Sequence, residues 1–262
     1  MPATRRASLV AMMSTLVGGS RVSVARAEPP TRAGTLESRS IESKRNGSTY
    51  PLFVYLPPNS GAERTKLPIV YMLDGESRFQ TLVDIAESTG TRVIIVGIGN
   101  EANRSHDYVP VNTCTEEGGG EAAFFDFIRF ELIPFVEAGV GGDPARRALL
   151  GHSHGGSFVL YALFGEAPDA HHFSAYLAAD PSIRCMPEAF RQWEAAYAEQ
   201  TRALPVRLDI SYANRANEPF ARHIASRHYA GLTFASQFYP GGHNGMVQAA
   251  FTDALQFAFR PS

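Results

Sequence analysis

The chain has 262 residues, 44% of them hydrophobic and 19% charged, with a formal charge of −2 at pH 7. That length and apolar content suffice for one large core, so one domain is expected rather than two. No basic run interrupts the sequence, which argues against a nucleic-acid partner. Cys114 and Cys185 lie outside any C-x-x-C or Cys/His ligand spacing, which argues against structural zinc.

The first 27 residues read as an export signal. Arg5 and Arg6 precede an apolar stretch from Leu9 to Val17, and Ala25-Arg26-Ala27 forms a small-residue exit before Glu28. The apolar stretch is too short to serve as a stable membrane anchor. Thr4 to Leu9 also resembles a twin-arginine signal, so either the Sec or the Tat route is compatible. The segment holds four arginines and no acid, so of 24 basic residues 20 remain against 26 acidic ones, a charge near −6. Residues 28–262 are then a single periplasmic or secreted domain without a membrane span. In such a compartment the two cysteines are expected to form one disulfide.

Strand-like segments at 35–41 and 50–56 flank Asn46-Gly47, a hairpin signal. A surface loop at 57–61 leads to an apolar strand at 67–73, a helix near 79–87 and a strand at 92–98. A helix fits 121–138, with Pro134 expected to kink it. A strand ending at Gly151 and a helix from Gly156 follow, then strand 172–178 and helix 188–203. Strand 206–212, helix 219–229, strand 233–239 and helix 245–259 complete the chain. Alternating strands and helices imply a mostly parallel sheet covered on both faces, and the opening hairpin implies antiparallel strands at one edge. This is the layout of an α/β-hydrolase, with no insertion long enough for a large lid.

Gly151-His152-Ser153-His154-Gly155 lies between a buried strand and a helix, the setting of a nucleophile elbow that lifts a serine hydroxyl to the top of a sheet. A serine needs an adjacent base, which in this layout is a late histidine on a loop after the last strand. His243, in Pro240–Gly245, occupies that place. The other seven histidines fall in the elbow, in a strand, on a helix or in an earlier loop. The third member must lie between serine and histidine. Glu218, after strand 206–212, is the best-placed acid. Asp180, after the preceding strand, is a second candidate, and Asp209 lies within a strand. For the oxyanion, the amides of His154 and Glu76 are the expected donors, the latter following the Asp74-Gly75 turn.

Beyond the elbow, four segments resemble the putative-esterase family of esterase D, enterochelin-type siderophore esterases, feruloyl esterases and mycolyltransferases. They are Ile69–Gly75, Arg104–Pro110, Phe130–Val136 and Ala179–Ile183. The resemblance spans about 40–259 and is nearest to small, lid-free bacterial esterases related to trilactone siderophore hydrolases. It implies Ser153 as nucleophile, His243 as base, and the Glu76 and His154 amides as oxyanion donors. The chain departs from the family pattern at Asp180, where a serine is usual, and at Arg184-Cys185, where an aromatic pair is usual.

Together these readings imply an exported serine carboxylic-ester hydrolase working through an acyl-enzyme, with no metal or organic cofactor. Arg104, Asp180 and Arg184 are expected at the substrate rim. A polar mouth favours small to medium soluble esters, with siderophore-type and hydroxycinnamoyl esters among them. Acyl transfer to an alcohol would use the same residues, and a non-catalytic envelope binding protein is the reading from a different class.

Overall fold

The structure is a computed structural model, and it describes residues 33–260 apart from Thr113 and Thr115. The expected export signal at 1–27 lies outside the described residues.

Eight strands form one sheet: β1 Thr35–Glu42, β2 Thr49–Leu56, β3 Ile69–Met72, β4 Ile94–Ile98, β5 Arg147–His152, β6 Ala175–Ala179, β7 Arg207–Tyr212 and β8 Thr233–Phe238. Their spatial order is β1-β2-β4-β3-β5-β6-β7-β8. β1 and β2 pair antiparallel, as do β2 and β4, while every later pair is parallel. The order reverses at β3 and β4, so β5 stands mid-sheet with its carboxyl end at the point where α/β folds open their binding crevice.

The central strands β3, β4 and β6 are buried along their whole length, because helices cover both faces. One face carries α1 Gly75–Thr89 and α9 Val247–Phe259, which pack Phe79, Leu82, Phe251 and Leu255 against Val70, Leu150 and Leu177. The other carries α3 Glu121–Phe127, α4 Ile133–Gly139, α5 His154–Gly165, α6 Pro187–Gln200 and α7 Glu218–Ser226, whose Phe124, Phe158 and Phe190 join the core around Tyr71 and Tyr176. The short helices α2 Arg104–Asp107 and α8 Gly242–Gly245 lie in loops at the sheet's carboxyl end. Among the described residues no helix is long and apolar enough to cross a membrane.

Three elements differ instructively from expectation. The 121–138 helix is not one continuous α-helix. It widens into a π turn at Ile128–Leu132, with the Ile133 N–H donating to the Ile128 carbonyl. Pro134, which has no N–H to extend the ladder, follows at the start of α4. The β1–β2 connection is longer than a two-residue hairpin. It runs over 43–48 and closes by Ser43 N–H to the Ser48 carbonyl, with Gly47 at φ 73°. The last helix is broken, α8 turning once before α9 begins.

Asp209 is a carboxylate inside β7, in register with the core residue Leu177. Burial pushes its carboxyl up to about 7, Asp253 on α9 adds to the rise, and Ser211 opposes it. A folded-state value above the unfolded one means that the native state holds this proton more tightly. The group's favourable contribution is therefore complete below about pH 4 and is lost as pH rises through 7. Asp209→Asn should raise the melting temperature at pH 8, by up to about 4 kcal/mol in stability from three pKa units, and change little at pH 4. Equal melting temperatures at pH 8 would show that the buried carboxylate is already compensated.

Candidate active site

The parallel register places the site. His152, Ala179 and Ser211 stand side by side at the ends of β5, β6 and β7. The next residues, Ser153 and Asp180, therefore leave the sheet at the same height. Ser153 adopts φ 61° and ψ −123°, a conformation rare outside glycine, and its N–H is fixed to the Ala179 carbonyl at 2.9 Å. The turn leaves no room for a side chain at Gly151 or Gly156. A Cβ on Gly151 would overlap the Gly155 carbonyl, and one on Gly156 would stand 2.8 Å from the Ala179 carbonyl. The expected elbow is thus formed, with α5 starting at His154 immediately behind the serine.

His243 arrives from the other direction, on α8 after β8. Its Nδ1–H donates to Asp180 Oδ2 at 2.6 Å. The acid is almost fully enclosed at 2% side-chain exposure, whereas the imidazole is 47% exposed. Asp180 itself sits at φ 42°. Its other oxygen, Oδ1, accepts from the amides of Ala213 and Asn214 and from Asn217 Nδ2, each at 3.0 Å. Three donors on one oxygen fix the carboxylate in place, leaving Oδ2 for the histidine.

Glu218, the best-placed acid by sequence, is not at the imidazole. It opens α7 and pairs with Arg222 at 3.2 Å and Arg215 at 3.5 Å. An acid in the first turn of a helix is favoured by the helix dipole and needs no other purpose. Asp180, also expected at the rim, lines the same cleft as Ser153 and is there the buried partner of His243.

At α5 the Ser157 N–H returns to the Ser153 carbonyl, so the His154 amide at the helix start has no intrahelical acceptor. Burial, with Arg104 adding to it, lowers the His154 imidazole below its usual range. At α1 the Ser77 and Arg78 amides both bond the Asp74 carbonyl, which leaves those of Gly75 and Glu76 unserved by it. The unusual backbone conformation is at Asp74, φ 57° and ψ 44°, not at Gly75. Gly75 is required for a different reason: a Cβ there would lie 2.8 Å from the Gly97 carbonyl carbon, so α1 starts in contact with β4. The Glu76 carboxylate accepts the Asn100 and Glu101 amides and pins that start to the loop after β4.

Arg104 is likewise placed differently from expectation. Its Nε donates to Asp74 Oδ1 at 2.6 Å, and its Nη2 reaches both Asp74 Oδ2 and the His152 carbonyl, the latter at 3.3 Å. It therefore ties the start of α1 to the elbow. Arg184 does stand at the mouth, on a cleft of about 510 Å³ that Ser153, His243, Ser182, Asn214 and Arg215 also line. Ser182 Oγ approaches Ser153 Oγ to 3.5 Å. Cys185 on the same wall is joined to Cys114, with Cα atoms 5.3 Å apart, as expected for the pair.

The sequence reading did not single out Ser182, Asn214, Arg215 or Asn217 as site residues. Asn214 and Asn217 flank the β7 exit, where short amides are common turn residues, so nothing in their type distinguished them.

A family model described as "Putative esterase" matches residues 43–245. Ferri-bacillibactin esterase BesA of Bacillus subtilis is 32% identical over 172 residues, which cover 56% of this chain and 58% of that protein, less than two thirds of its length. The siderophore enterobactin esterase of Emericella nidulans is 30% identical over 232 residues and 75% of each chain. Among solved structures, an IroE-like serine hydrolase from Shewanella oneidensis superposes with a TM-score of 0.74 at 26% identity, over 85% of this chain and 79% of that one.

Proposed function

Because the chain belongs to the putative-esterase family, we propose that it is an exported serine carboxylic-ester hydrolase acting on soluble esters of small to medium size. The observation that carries this reading is the 2.6 Å bond from His243 Nδ1 to the buried Asp180 carboxylate, on the same cleft as Ser153 at a strained elbow. A proton held on Nδ1 leaves Nε2 as the basic nitrogen.

In the reaction, Ser153 Oγ attacks the ester carbonyl carbon while its proton passes to His243 Nε2. Negative charge collects on the carbonyl oxygen and is met by the His154 and Glu76 amides, which the helix starts leave without intrahelical acceptors. As the tetrahedral centre collapses, the bond to the alcohol oxygen breaks and the His243 proton goes to that alcohol. Water then attacks the acyl-enzyme, giving one proton to His243. The second collapse releases the acid and returns the proton to Ser153. Asp180 never takes the proton; it stabilises the imidazolium formed in each half-reaction.

The cleft supports the substrate size. Its walls are polar, with Arg184, Arg215 and Asn214 lining the same cleft as the serine, and they suit esters that carry hydrogen-bonding or anionic groups, such as siderophore-type and hydroxycinnamoyl esters. Export is supported by the signal-like residues 1–27 ahead of the 28–262 domain, and by the joining of both cysteines, which fits an oxidising compartment.

A series of p-nitrophenyl esters tests the reading. Turnover should be greatest with short acyl groups and fall for long fatty chains, and a catecholate or hydroxycinnamoyl ester should be cleaved. Activity climbing steadily to long fatty acyl groups would sink the size claim.

A further inference from the structure

His243 has little holding it from below. The two residues before it, Gly241 and Gly242, have φ of 103° and 75°, a region that glycine enters without cost and where no side chain anchors the backbone. The side chain is half-exposed, so packing does not immobilise it. Asp180 holds the imidazole at Nδ1, yet a single bond to the ring does not determine where the backbone beneath it stands.

Two contacts on consecutive residues do. His152 Nε2–H donates to the His243 carbonyl at 2.8 Å, and the two rings face each other with centroids 4.3 Å apart. Arg78 on α1 donates through Nη2 to Asn244 Oδ1 at 2.8 Å, and the same nitrogen lies 3.5 Å from His152 Nδ1. β5 and α1 thus hold this loop at adjacent points.

We propose that His152 is a positioning residue for ester hydrolysis, holding the His243 main chain so that the imidazole meets Ser153 at a productive distance and angle. The proposal rests on the reading of Ser153, His243 and Asp180 given above. The chemistry selects histidine for this place. A carbonyl only accepts, so His152 must carry its proton on Nε2 and turn the Nδ1 lone pair toward Arg78. That is the neutral ring. Burial lowers its pKa to about 4, with the neighbouring His243 and Arg78 charges pushing the same way and Asp180 and the bond to the His243 carbonyl opposing. His152 therefore stays uncharged while His243 gains and loses its proton, and it adds no cation beside the imidazolium. Although it is next to Ser153 in the chain, it is not a second base.

The test compares three variants by p-nitrophenyl ester kinetics and by the rate at which a fluorophosphonate labels Ser153, with folding checked by circular dichroism. His152→Ala should lower kcat and the labelling rate by about 10- to 100-fold with KM within about two-fold, the cost of misplacing a catalytic group by a fraction of an ångström to one ångström. His152→Gln, whose amide nitrogen reaches the place of Nε2, should recover most of the loss. His152→Asn, whose amide corresponds to Nδ1, should not. A folded alanine variant with wild-type kcat overturns the proposal, as does a loss expressed in KM alone. If the alanine variant does not fold, glutamine against asparagine decides: equal rates overturn it. A wild-type protein that neither cleaves ester nor takes the label would overturn the hydrolase reading instead.

Discussion

Ser153→Ala and His243→Ala should each reduce kcat for ester hydrolysis by about 10⁴- to 10⁶-fold while leaving the fold and the melting temperature close to wild type. In the proposed mechanism the serine supplies the only protein atom that becomes bonded to the acyl group, and the histidine moves every proton in the cycle. Neither is needed for packing: Ser153 is partly exposed at the elbow and His243 is half-exposed on its loop. Because the two act as one unit, the double variant should be no slower than the slower single variant. The relaxation of Ser153 strain gives a second readout. Glycine at position 153 would accept φ 61° at no cost, so Ser153→Gly should be inactive yet at least as stable as Ser153→Ala. Retention of near-wild-type hydrolysis by either alanine variant would remove the serine mechanism.

The second large effect separates two acids. Asp180→Asn should lower kcat by about 10³- to 10⁴-fold, because an amide in that place presents its N–H₂ or loses the charge that holds His243 in its Nδ1–H tautomer. Glu218→Gln should leave kcat within about two-fold, since Glu218 pairs with the exposed Arg215 and Arg222 rather than with His243. The asparagine variant also keeps Oδ1, which accepts the Ala213 and Asn214 amides, so its loss should appear in kcat more than in stability. A large loss for Glu218→Gln with none for Asp180→Asn would return the role to Glu218.

Much of this molecule was legible before any coordinates. The elbow could be read because its geometry excludes side chains: Gly151 and Gly156 sit where a Cβ would strike backbone, and that constraint leaves glycine in the sequence. The sheet could be read because strands covered on both faces must be apolar throughout, as β3, β4 and β6 are. The place of His243 on the Ser153 cleft could be read because chain order in this layout leaves one loop for such a histidine. The cysteine pair followed from its number and the expected compartment.

The acid could not be ranked correctly, and the reason is geometric. Asp180 and Glu218 both follow parallel strands on the correct side of the sheet, so chain order admits either. The choice depends on β6 lying next to β5, with Asp180 at φ 42° turned so that three donors from the β7 exit take one oxygen and His243 takes the other. Those donors are separated from Asp180 by more than thirty residues, and such a meeting is a product of sheet register alone. Arg104 is a parallel case: its type suggested a substrate anion, whereas the fold brings it to Asp74 and the His152 carbonyl.

By itself, then, the sequence determined the alternation of strands and helices, the turn of Ser153 and the loop of His243, because each depends on local sterics or hydrophobic period and is written in neighbouring residues. Only the tertiary structure decided that Asp180 serves His243, that Arg104 braces the elbow and that His152 grips the loop of His243. Each of these joins residues far apart in the chain through bonds of about 3 Å, and the direction of a hydrogen bond between distant segments has no local signature.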